Sequence, residues 1–393
     1  MYSGNMRVIG GLSNSFIPTA SVQSKTASDV SGDSQAASGS GTNGYANQPV
    51  REKRLSKHKE ELQHEFKIDK GFSLLRYLGT GAYGIVAAFI HEKSGEKVAV
   101  KKIKKIFTNI LLAKRTLREL KILKHLSGHP NIVSLKGILL PVSPCFEEIY
   151  VLQDLMEADL HQIIRSGQQM TDAHYQYFLY QILKALYYMH SCNVVHRDLK
   201  PGNILVNSNC DLKVARHPMR LIIRYVILAC PADWLIIFES QETPCFLNTL
   251  PLGGTEHRRS CYHTAIMTKQ VASFDIWAAG CIFGELVSGQ VLFPGKHAVD
   301  QMTLILEVLG SPSEYFISRL KSKRSQQFLR SQPHCTRSSF KALFPKLSPG
   351  AIDLLDKMLC IDPLDRISVK EALHHPYLSG YFKQRDLVAI FSR

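Results

Sequence analysis

Hydrophobic and polar positions change their spacing along the chain. Between about 70 and 104, short apolar or alternating runs separated by glycines predict β-strands. Further strands are predicted near 132–139 and 148–153, and helices from leucine and other apolar spacings at 107–125, 171–190, 271–288, 298–309 and 349–359. A small sheet-rich lobe (70–155) followed by a larger helical lobe (156–378) predicts a bilobal α+β fold.

Four stretches lie outside this pattern. Residues 1–50 are rich in Ser and Gly and predict a disordered tail, and residues 51–69 form a charged linker. Residues 379–393 form a C-terminal tail. Residues 215–263 follow neither period and change composition abruptly, so we interpret them as an aberrant segment inside the second lobe.

Composition narrows the class of protein. The 393 residues carry a formal charge of +15, but no compact Lys/Arg tract with interleaved aromatics indicates nucleic-acid binding. Nine scattered cysteines without a C-x-x-C pair, and no secretory signal, favour reduced thiols inside the cell. The most apolar stretch, Leu221–Phe238, contains Arg224, Pro231 and Asp233, so no membrane span is expected.

A glycine-rich loop lies between the first two predicted strands. Its sequence is Gly79-Thr80-Gly81-Ala82-Tyr83-Gly84, flanked by Leu78, Ile85 and Val86. Glycines let backbone amides approach phosphate oxygens. The dinucleotide-binding version of this loop runs into a helix, and would make the protein an oxidoreductase. Here a strand follows, which favours a nucleoside triphosphate held beneath a β-hairpin.

Two charged residues extend this site. Lys101 ends the run Val98-Ala99-Val100 on the next strand, where an ammonium can meet the α- and β-phosphates of a nucleotide. Glu119 lies in the following helix, where its carboxylate can hold the Lys101 ammonium. Each residue alone is unremarkable, but the glycine loop, lysine and glutamate occur in the order that phosphoryl transfer needs.

The most specific motif is His196-Arg197-Asp198-Leu199-Lys200-Pro201-Gly202-Asn203. Asp198 can accept the proton of an attacking hydroxyl, and Lys200 can neutralise charge on a moving phosphoryl group. Asn203 offers an amide oxygen to a metal ion. The motif therefore predicts the transfer of phosphate to a hydroxyl group.

Together these motifs resemble a protein kinase, and longer stretches resemble the mitogen-activated protein (MAP) kinases. The resemblance covers about 66–214 and 268–378. The stretches that carry it include Lys114-Arg115-Thr116-Leu117-Arg118-Glu119, Gln153-Asp154-Leu155-Met156, Asp275-Ile276-Trp277 and Leu292-Phe293-Pro294-Gly295-Lys296. It implies a serine/threonine kinase in intracellular signalling that uses ATP and Mg2+, acts on protein substrates next to proline, and works in the cytoplasm and/or nucleus.

The resemblance also implies roles for single residues. Gln153 would be the gatekeeper of the adenine pocket, and the backbone at Asp154 and Met156 would bind the adenine. Asp275 would brace the catalytic loop, and Arg366 would pair with a glutamate of the activation segment. Residues 311–345 would form the family's extra helical insert. The remaining nucleotide-binding positions implied are Ala99, Asp159 and Leu205.

Residues 215–263 break this resemblance. Ala215-Arg216-His217-Pro218 stand where the family has Asp-Phe-Gly, and Thr-x-Tyr and Ala-Pro-Glu are absent. An upstream dual-specificity kinase is expected as a partner, yet its acceptor site is missing. Asp233 is the one nearby acid, but no glycine follows to shape the turn. The C-terminal tail also lacks the family's acidic docking stretch.

Permitted codons for Gly253–Tyr262, read in a shifted frame, encode Trp-Tyr-Arg-Ala-Pro-Glu-Val-Met-Leu, which contains the missing motif. Three interpretations follow. The chain is a MAP-kinase-type enzyme, a catalytically impaired pseudokinase scaffold, or a mis-assembled gene product with unspliced or frame-shifted residues at 215–263. We adopt the first for the gene's function, and expect little or no activity from this chain because a metal-binding Asp is missing.

Overall fold

The structure of the chain is a computed structural model that describes residues 65–66, 68, 71–81, 84–139, 147–215, 257–320 and 322–383, with backbone alone for 257–271. The predicted tail 1–50, the linker up to residue 64, and the loop residues Ala82 and Tyr83 lie outside this range. So do residues 216–256 of the aberrant segment and the end of the C-terminal tail, 384–393.

The described chain forms two compact units, and the smaller one contains a five-stranded antiparallel sheet. Its strands run in the order β1-β2-β3-β5-β4, with bounds Phe72–Gly81 (β1), Gly84–His91 (β2), Lys97–Ile103 (β3), Leu135–Leu139 (β4) and Ile149–Asp154 (β5). The three strands predicted between 70 and 104 are confirmed. Strand β4 begins at Leu135 rather than near 132, because Ile132 instead forms an isolated bridge with Val214.

Core packing in the smaller unit begins upstream of residue 70. Phe66 is buried against Phe89 and Tyr150, and Ile68 packs beside the same cluster. Leu74, Val98, Val100 and Leu152 complete much of this apolar face. The hydrophobic positions at 66 and 68 alternate with polar ones, which is the pattern of a segment lying along one face of a sheet.

The larger unit is mainly helical. Its helices are α1 (Ile110–His125, which starts in the smaller unit), α2 (Leu160–Arg165), α3 (Asp172–Ser191), α4 (His257–Ser288), α5 (Ala298–Leu309), α6 (Glu314–Arg319), α7 (Lys323–Ser331), α8 (Phe340–Leu343), α9 (Pro349–Met358) and α10 (Val369–Leu373). Short strands β6 (Ala158–Asp159), β7 (Ile204–Val206) and β8 (Leu212–Val214) form a second sheet in that order. Both units together give the predicted α+β fold.

Two helix starts differ from the predicted ones. Helix α1 begins at Ile110 rather than 107, because the Asn109 side chain accepts a hydrogen bond from the Leu111 amide at 2.8 Å and so marks the N-terminus. Helix α4 begins at His257 rather than 271. No proline interrupts it and its first glycine is Gly280, so the sequence contains no break near 271.

The region predicted as a helical insert, 311–345, contains helices α6, α7 and α8. Phe316, Ile317, Leu320 and Leu329 pack with Leu306 of α5 in a separate small core. Arg319 donates two hydrogen bonds to the Asp362 carboxylate, at 3.0 and 2.9 Å, and ties the insert to the segment after α9. No helix among the described residues is long and apolar enough to cross a membrane.

Helix α3 is the main buried element of the larger unit, which makes it the place to test the packing. Phe178 is fully buried. We expect Phe178→Ala to lower the free energy of unfolding by about 3–5 kcal/mol, because it removes apolar contacts and leaves a cavity. Urea unfolding followed by circular dichroism measures the change. Phe107→Ala, at a 59% exposed position, should cost far less, and equal losses would contradict this packing.

Candidate active site

The loop between α3 and β7, which contains His196–Asn203, is held in place by a buried carboxylate. Asp275 of α4 accepts hydrogen bonds from the His196 and Arg197 amides, each at 2.8 Å, and lies 2.8 Å from His190 Nε2. Burial opposes ionisation of this carboxyl, but the hydrogen bonds and charges from His190 and His196 outweigh it and hold the pKa of Asp275 below its usual range. A charged acceptor therefore fixes both amides at the start of the loop.

This anchoring coincides with an unusual backbone conformation. Arg197 has a φ of 65°, in the left-handed region that side chains with a Cβ rarely adopt. Its amide hydrogen bond to Asp275 compensates for the strain. Burial lowers the pKa of the Arg197 guanidinium, while the charge of Asp275 acts in the opposite direction. Strained backbone held by surrounding contacts is common at functional sites.

Asp198, Lys200 and Asn203 lie together in the same loop, as the motif predicted. Asn203 donates through Nδ2 to the Asp198 main-chain carbonyl at 2.7 Å and to its Oδ2 at 3.2 Å. The Lys200 ammonium lies 3.5 Å from Asp198 Oδ2. Asn203 is buried, Lys200 is exposed and Asp198 is intermediate. Buried Asn203 thus orients the Asp198 carboxylate, while the Lys200 side chain beside it extends into solvent.

Strand β8 leads directly to the position where Asp-Phe-Gly is expected. Val214 donates to Asn131 O at 2.9 Å and accepts from the Val133 amide at 3.1 Å. Ala215 then donates to Asn203 O at 2.8 Å, and its carbonyl oxygen lies 3.1 Å from His196 Nε2. Ala215 is therefore tied to the loop His196–Asn203, and the residue that follows it in the sequence is Arg216 rather than an aspartate.

In the smaller unit, the described residues of the glycine loop lie at the paired ends of β1 and β2. Gly79 pairs with Val86, Thr80 with Ile85 and Gly81 with Gly84. At Gly84, φ is +153°, and a Cβ there would lie 1.7 Å from the Lys102 carbonyl oxygen. Only glycine fits this approach of β2 to β3. Leu78 is skipped by the pairing, at an irregularity between Tyr77 and Gly79.

Three other predicted nucleotide residues of the smaller unit, Ala99, Lys101 and Gln153, share one face of its sheet, whereas Asp154 lies opposite Val98 on the other face. Lys101 lies opposite Val86 on one side and Val151 on the other, and Ala99 lies opposite Gln153. Asp154 ends β5, and its carboxylate lies 3.5 Å from the Lys136 ammonium. The Glu96 hydrogen bond, with help from the charge of Asp154, raises the pKa of Lys136.

The remaining candidates lie in the larger unit. Glu119 is on the buried side of α1, beside Thr116, Ile122 and Leu123. Asp159 pairs with Leu205 between β6 and β7, and its Oδ1 accepts the Gln162 amide at 2.8 Å, which caps α2. Met156 is buried just before β6. Lys101 and Glu119 thus belong to different units.

Arg366 was expected to pair with a glutamate of the activation segment. It donates instead to main-chain carbonyls, at 2.8 Å to Ser273 and at 3.0 and 2.7 Å to Cys360. Its guanidinium lies 4.8 Å from the Trp277 ring centroid. Burial lowers the pKa of Arg366 to about 10. Carbonyl dipoles and an aromatic face therefore stabilise this buried cation within the described chain.

Sequence reasoning missed His190. It lies near the end of α3, and only the fold brings it to Asp275, 85 positions away. No spacing signal marks such a pair. Asp275 was implied by resemblance alone. The described residues contain no group of three His, Cys, Asp or Glu side chains that could hold a metal ion.

Comparisons with known proteins add to this geometry. The protein kinase domain family matches residues 72–216 and 266–378. The chain is 43% identical to mitogen-activated protein kinase spm1 of Cytospora mali over 322 residues, which is 82% of this chain and 73% of that protein. It is 43% identical to mitogen-activated protein kinase 6 of Oryza sativa subsp. japonica over 307 residues (78% and 76%). It is 44% identical to mitogen-activated protein kinase 4 of Arabidopsis thaliana over 306 residues (78% and 76%).

The depressed pKa of Asp275 predicts how its contribution to stability depends on pH. A carboxyl whose folded pKa is depressed stabilises the fold above its unfolded pKa, about 4, and this contribution is lost as the pH falls through the folded pKa. We expect Asp275→Asn to cost about 3 kcal/mol in the free energy of unfolding at pH 7. The difference from the unaltered chain should narrow below about pH 4. Urea titrations at several pH values measure it.

Asp365→Asn is the matched control, because Asp365 is exposed. We expect it to change the free energy of unfolding little at any pH. A difference for Asp275→Asn that stays constant with pH would contradict an ionised carboxylate at this position.

Proposed function

This chain belongs to the protein kinase family and, within it, to the mitogen-activated protein kinases, and from that premise we propose that it transfers the γ-phosphate of ATP to serine or threonine hydroxyls of proteins. The observation that carries the proposal is the loop in which Asn203 orients Asp198. The Asp198 carboxylate is the proton acceptor for the substrate hydroxyl.

Positioning is most of what a kinase contributes. Asp275 fixes the start of the loop through two amides, and Asn203 fixes the Asp198 carboxylate within it. Lys200, close to that carboxylate, adds positive charge where the phosphoryl group would pass. These groups are held before substrate arrives, so little reorganisation is needed during transfer.

ATP would bind at the glycine loop and the face of the sheet that carries Lys101. Backbone amides of Gly79–Gly84 would approach the phosphates, and Lys101 would meet the α- and β-phosphates. Ala99 and Gln153 lie opposite each other on this face, where the adenine would pack. Met156, Asp159, Leu205 and Glu119 are the further nucleotide-binding positions that the family implies.

The donor set fits a divalent ion only in part. Asn203 supplies one amide oxygen, and Asp198 lies beside it. Mg2+ prefers octahedral oxygen coordination and is commonly held by one or two carboxylates together with substrate phosphates. Arg216 follows Ala215 in the position expected for the second protein ligand. We therefore propose that Asn203 holds a single Mg2+ with the nucleotide; when bound, the ion neutralises phosphate charge. The missing ligand makes transfer slow.

The biological setting follows from the family. We propose protein substrates with a serine or threonine before proline, an upstream dual-specificity kinase as a partner, and work in the cytoplasm and/or nucleus. The acceptor Thr-x-Tyr of that upstream kinase is absent from this sequence. Activity of the chain would then be independent of such phosphorylation.

Radiolabelled ATP, Mg2+ and a Ser-Pro peptide test the function. We expect phosphate transfer that Asp198→Asn lowers by at least about 100-fold, because the proton acceptor is lost. Lys101→Met should weaken ATP binding itself. Lys93→Met is the control, since Lys93 is an exposed lysine in the turn after β2, and it should leave both quantities unchanged.

The same experiment distinguishes an active kinase from a catalytically impaired pseudokinase. ATP binding that needs no Mg2+, with no transfer to any peptide, would identify a pseudokinase scaffold. Absence of both ATP binding and transfer would contradict the proposed function and favour a mis-assembled gene product.

A further inference from the structure

Strand β3 carries two successive lysines that face opposite sides of the sheet. Lys101 lies opposite Val86 and Val151, whereas Lys102 lies opposite Ile85 and Tyr150. Side chains alternate along a strand, so Lys102 points to the face that contains the apolar core of the smaller unit. Lys101 points to the other face.

The ammonium group of Lys102 is buried among carboxylates. The Lys102 side chain is only 5% exposed, and its Nζ lies 2.9 Å from Glu148 Oε2 and 3.6 Å from Glu65 Oε1. Nζ also donates to the main-chain carbonyl of Glu65. Tyr150 donates to Glu148 Oε1 at 2.5 Å. A buried ammonium is tolerated only with such partners, and an apolar side chain would be the less costly choice here.

One of the two carboxylates comes from upstream of the predicted domain. Glu65 also forms an ion pair with Lys104, and the Lys104 hydrogen bond lowers the pKa of Glu65. The next residue, Phe66, is 4% exposed, with its ring centroid 5.2 Å from that of Phe89 and 6.0 Å from that of Tyr150. Glu65, Phe66 and Ile68 therefore lie on the face of the sheet opposite to Lys101.

The sequence of β3 specifies its register poorly. The strand reads Lys-Val-Ala-Val-Lys-Lys-Ile, and Val98, Ala99 and Val100 are all buried, so both of its faces are apolar. A slip of one residue moves every side chain to the other face. The slip that brings Lys102 to the place of Lys101 would put Ala99, Lys101 and Ile103 on the face that now carries Val98, Val100 and Lys102. Each face would still carry two apolar residues and one lysine.

We propose that Glu65, Phe66 and Glu148 act with Lys102 as a register clamp that keeps Lys101 on the nucleotide face. In that slip Ile103 would take the place of Lys102 beside Glu65 and Glu148, and the two carboxylates would lose their ammonium. Fixing register is the best attested role of buried polar groups. These are positioning residues, and the consequence for ATP rests on the proposed function, whereas the register itself does not.

An ATP analogue with a reactive acyl phosphate reads the register directly, because it acylates the lysine that lies at the phosphates. In the unaltered full chain we expect ATP-competed acylation at Lys101 and not at Lys102. In the double variant Glu65→Gln, Glu148→Gln, the share of label on Lys102 should rise by about tenfold, which corresponds to a tenfold change in the ratio of the two registers. Peptide mass spectrometry assigns the label.

Glu96→Gln is the matched control. Glu96 pairs with the exposed Lys136 at 3.2 Å in the same unit, outside the clamp. The Glu96→Gln variant should be labelled on Lys101, as the unaltered chain is. The register role would be overturned if the double variant is labelled on Lys101 only and its ATP affinity changes no more than its thermal stability does. Lys102 and its carboxylates would then be an ordinary stabilising ion pair.

Hydrogen exchange separates this proposal from the proposed function. Amides of residues 97–103 should exchange faster in Glu148→Gln than in Glu96→Gln, whether or not ATP binds. If the unaltered chain takes no label at all, the nucleotide proposal fails, and the exchange data alone decide the clamp. Equal exchange in the two variants would then refute it.

Discussion

The buried carboxylate of Asp275 is the interaction on which the catalytic geometry depends. Two loop amides and His190 converge on it, and they keep it ionised where burial alone would favour its protonated form. The strained backbone at Arg197 is stable only because its amide has this acceptor. Without the anchor, Asp198 would lose the fixed start of its loop.

Asn203 provides the second attachment. Its side chain orients Asp198, and its main-chain oxygen accepts the amide of Ala215 at the end of the β7–β8 hairpin. Asp198 therefore lies between the Asp275 carboxylate and the small sheet of β6, β7 and β8. This arrangement explains why the loop retains the geometry of a kinase although the residues after Ala215 differ from the family pattern. The loop keeps its geometry because its hydrogen-bond partners lie on a helix and on a β-hairpin.

Arg366 shows how the larger unit stabilises a buried cation. Its contacts come from the start of the buried part of α4 and from the residues after α9, through carbonyl oxygens and the ring of Trp277. Carbonyl dipoles replace much of the water that the guanidinium loses on burial. Family matches on both sides of 217–265 agree with a fold whose supports lie outside that segment.

The sequence by itself determined the α+β class, the strands from β1 to β3, most helix positions and the Asp198, Lys200 and Asn203 motif, because these depend on local spacing and on residues close together in the chain. It missed the packing of Phe66 and the ion pairs of Glu65, because the charged composition of residues 51–69 predicted a linker. The tertiary structure alone decided which distant residues meet. His190 contacts Asp275 across 85 positions, and Lys102 contacts Glu65 across 37 positions. Such pairs depend on how packed elements bring distant charges out of water together, and no local pattern encodes that.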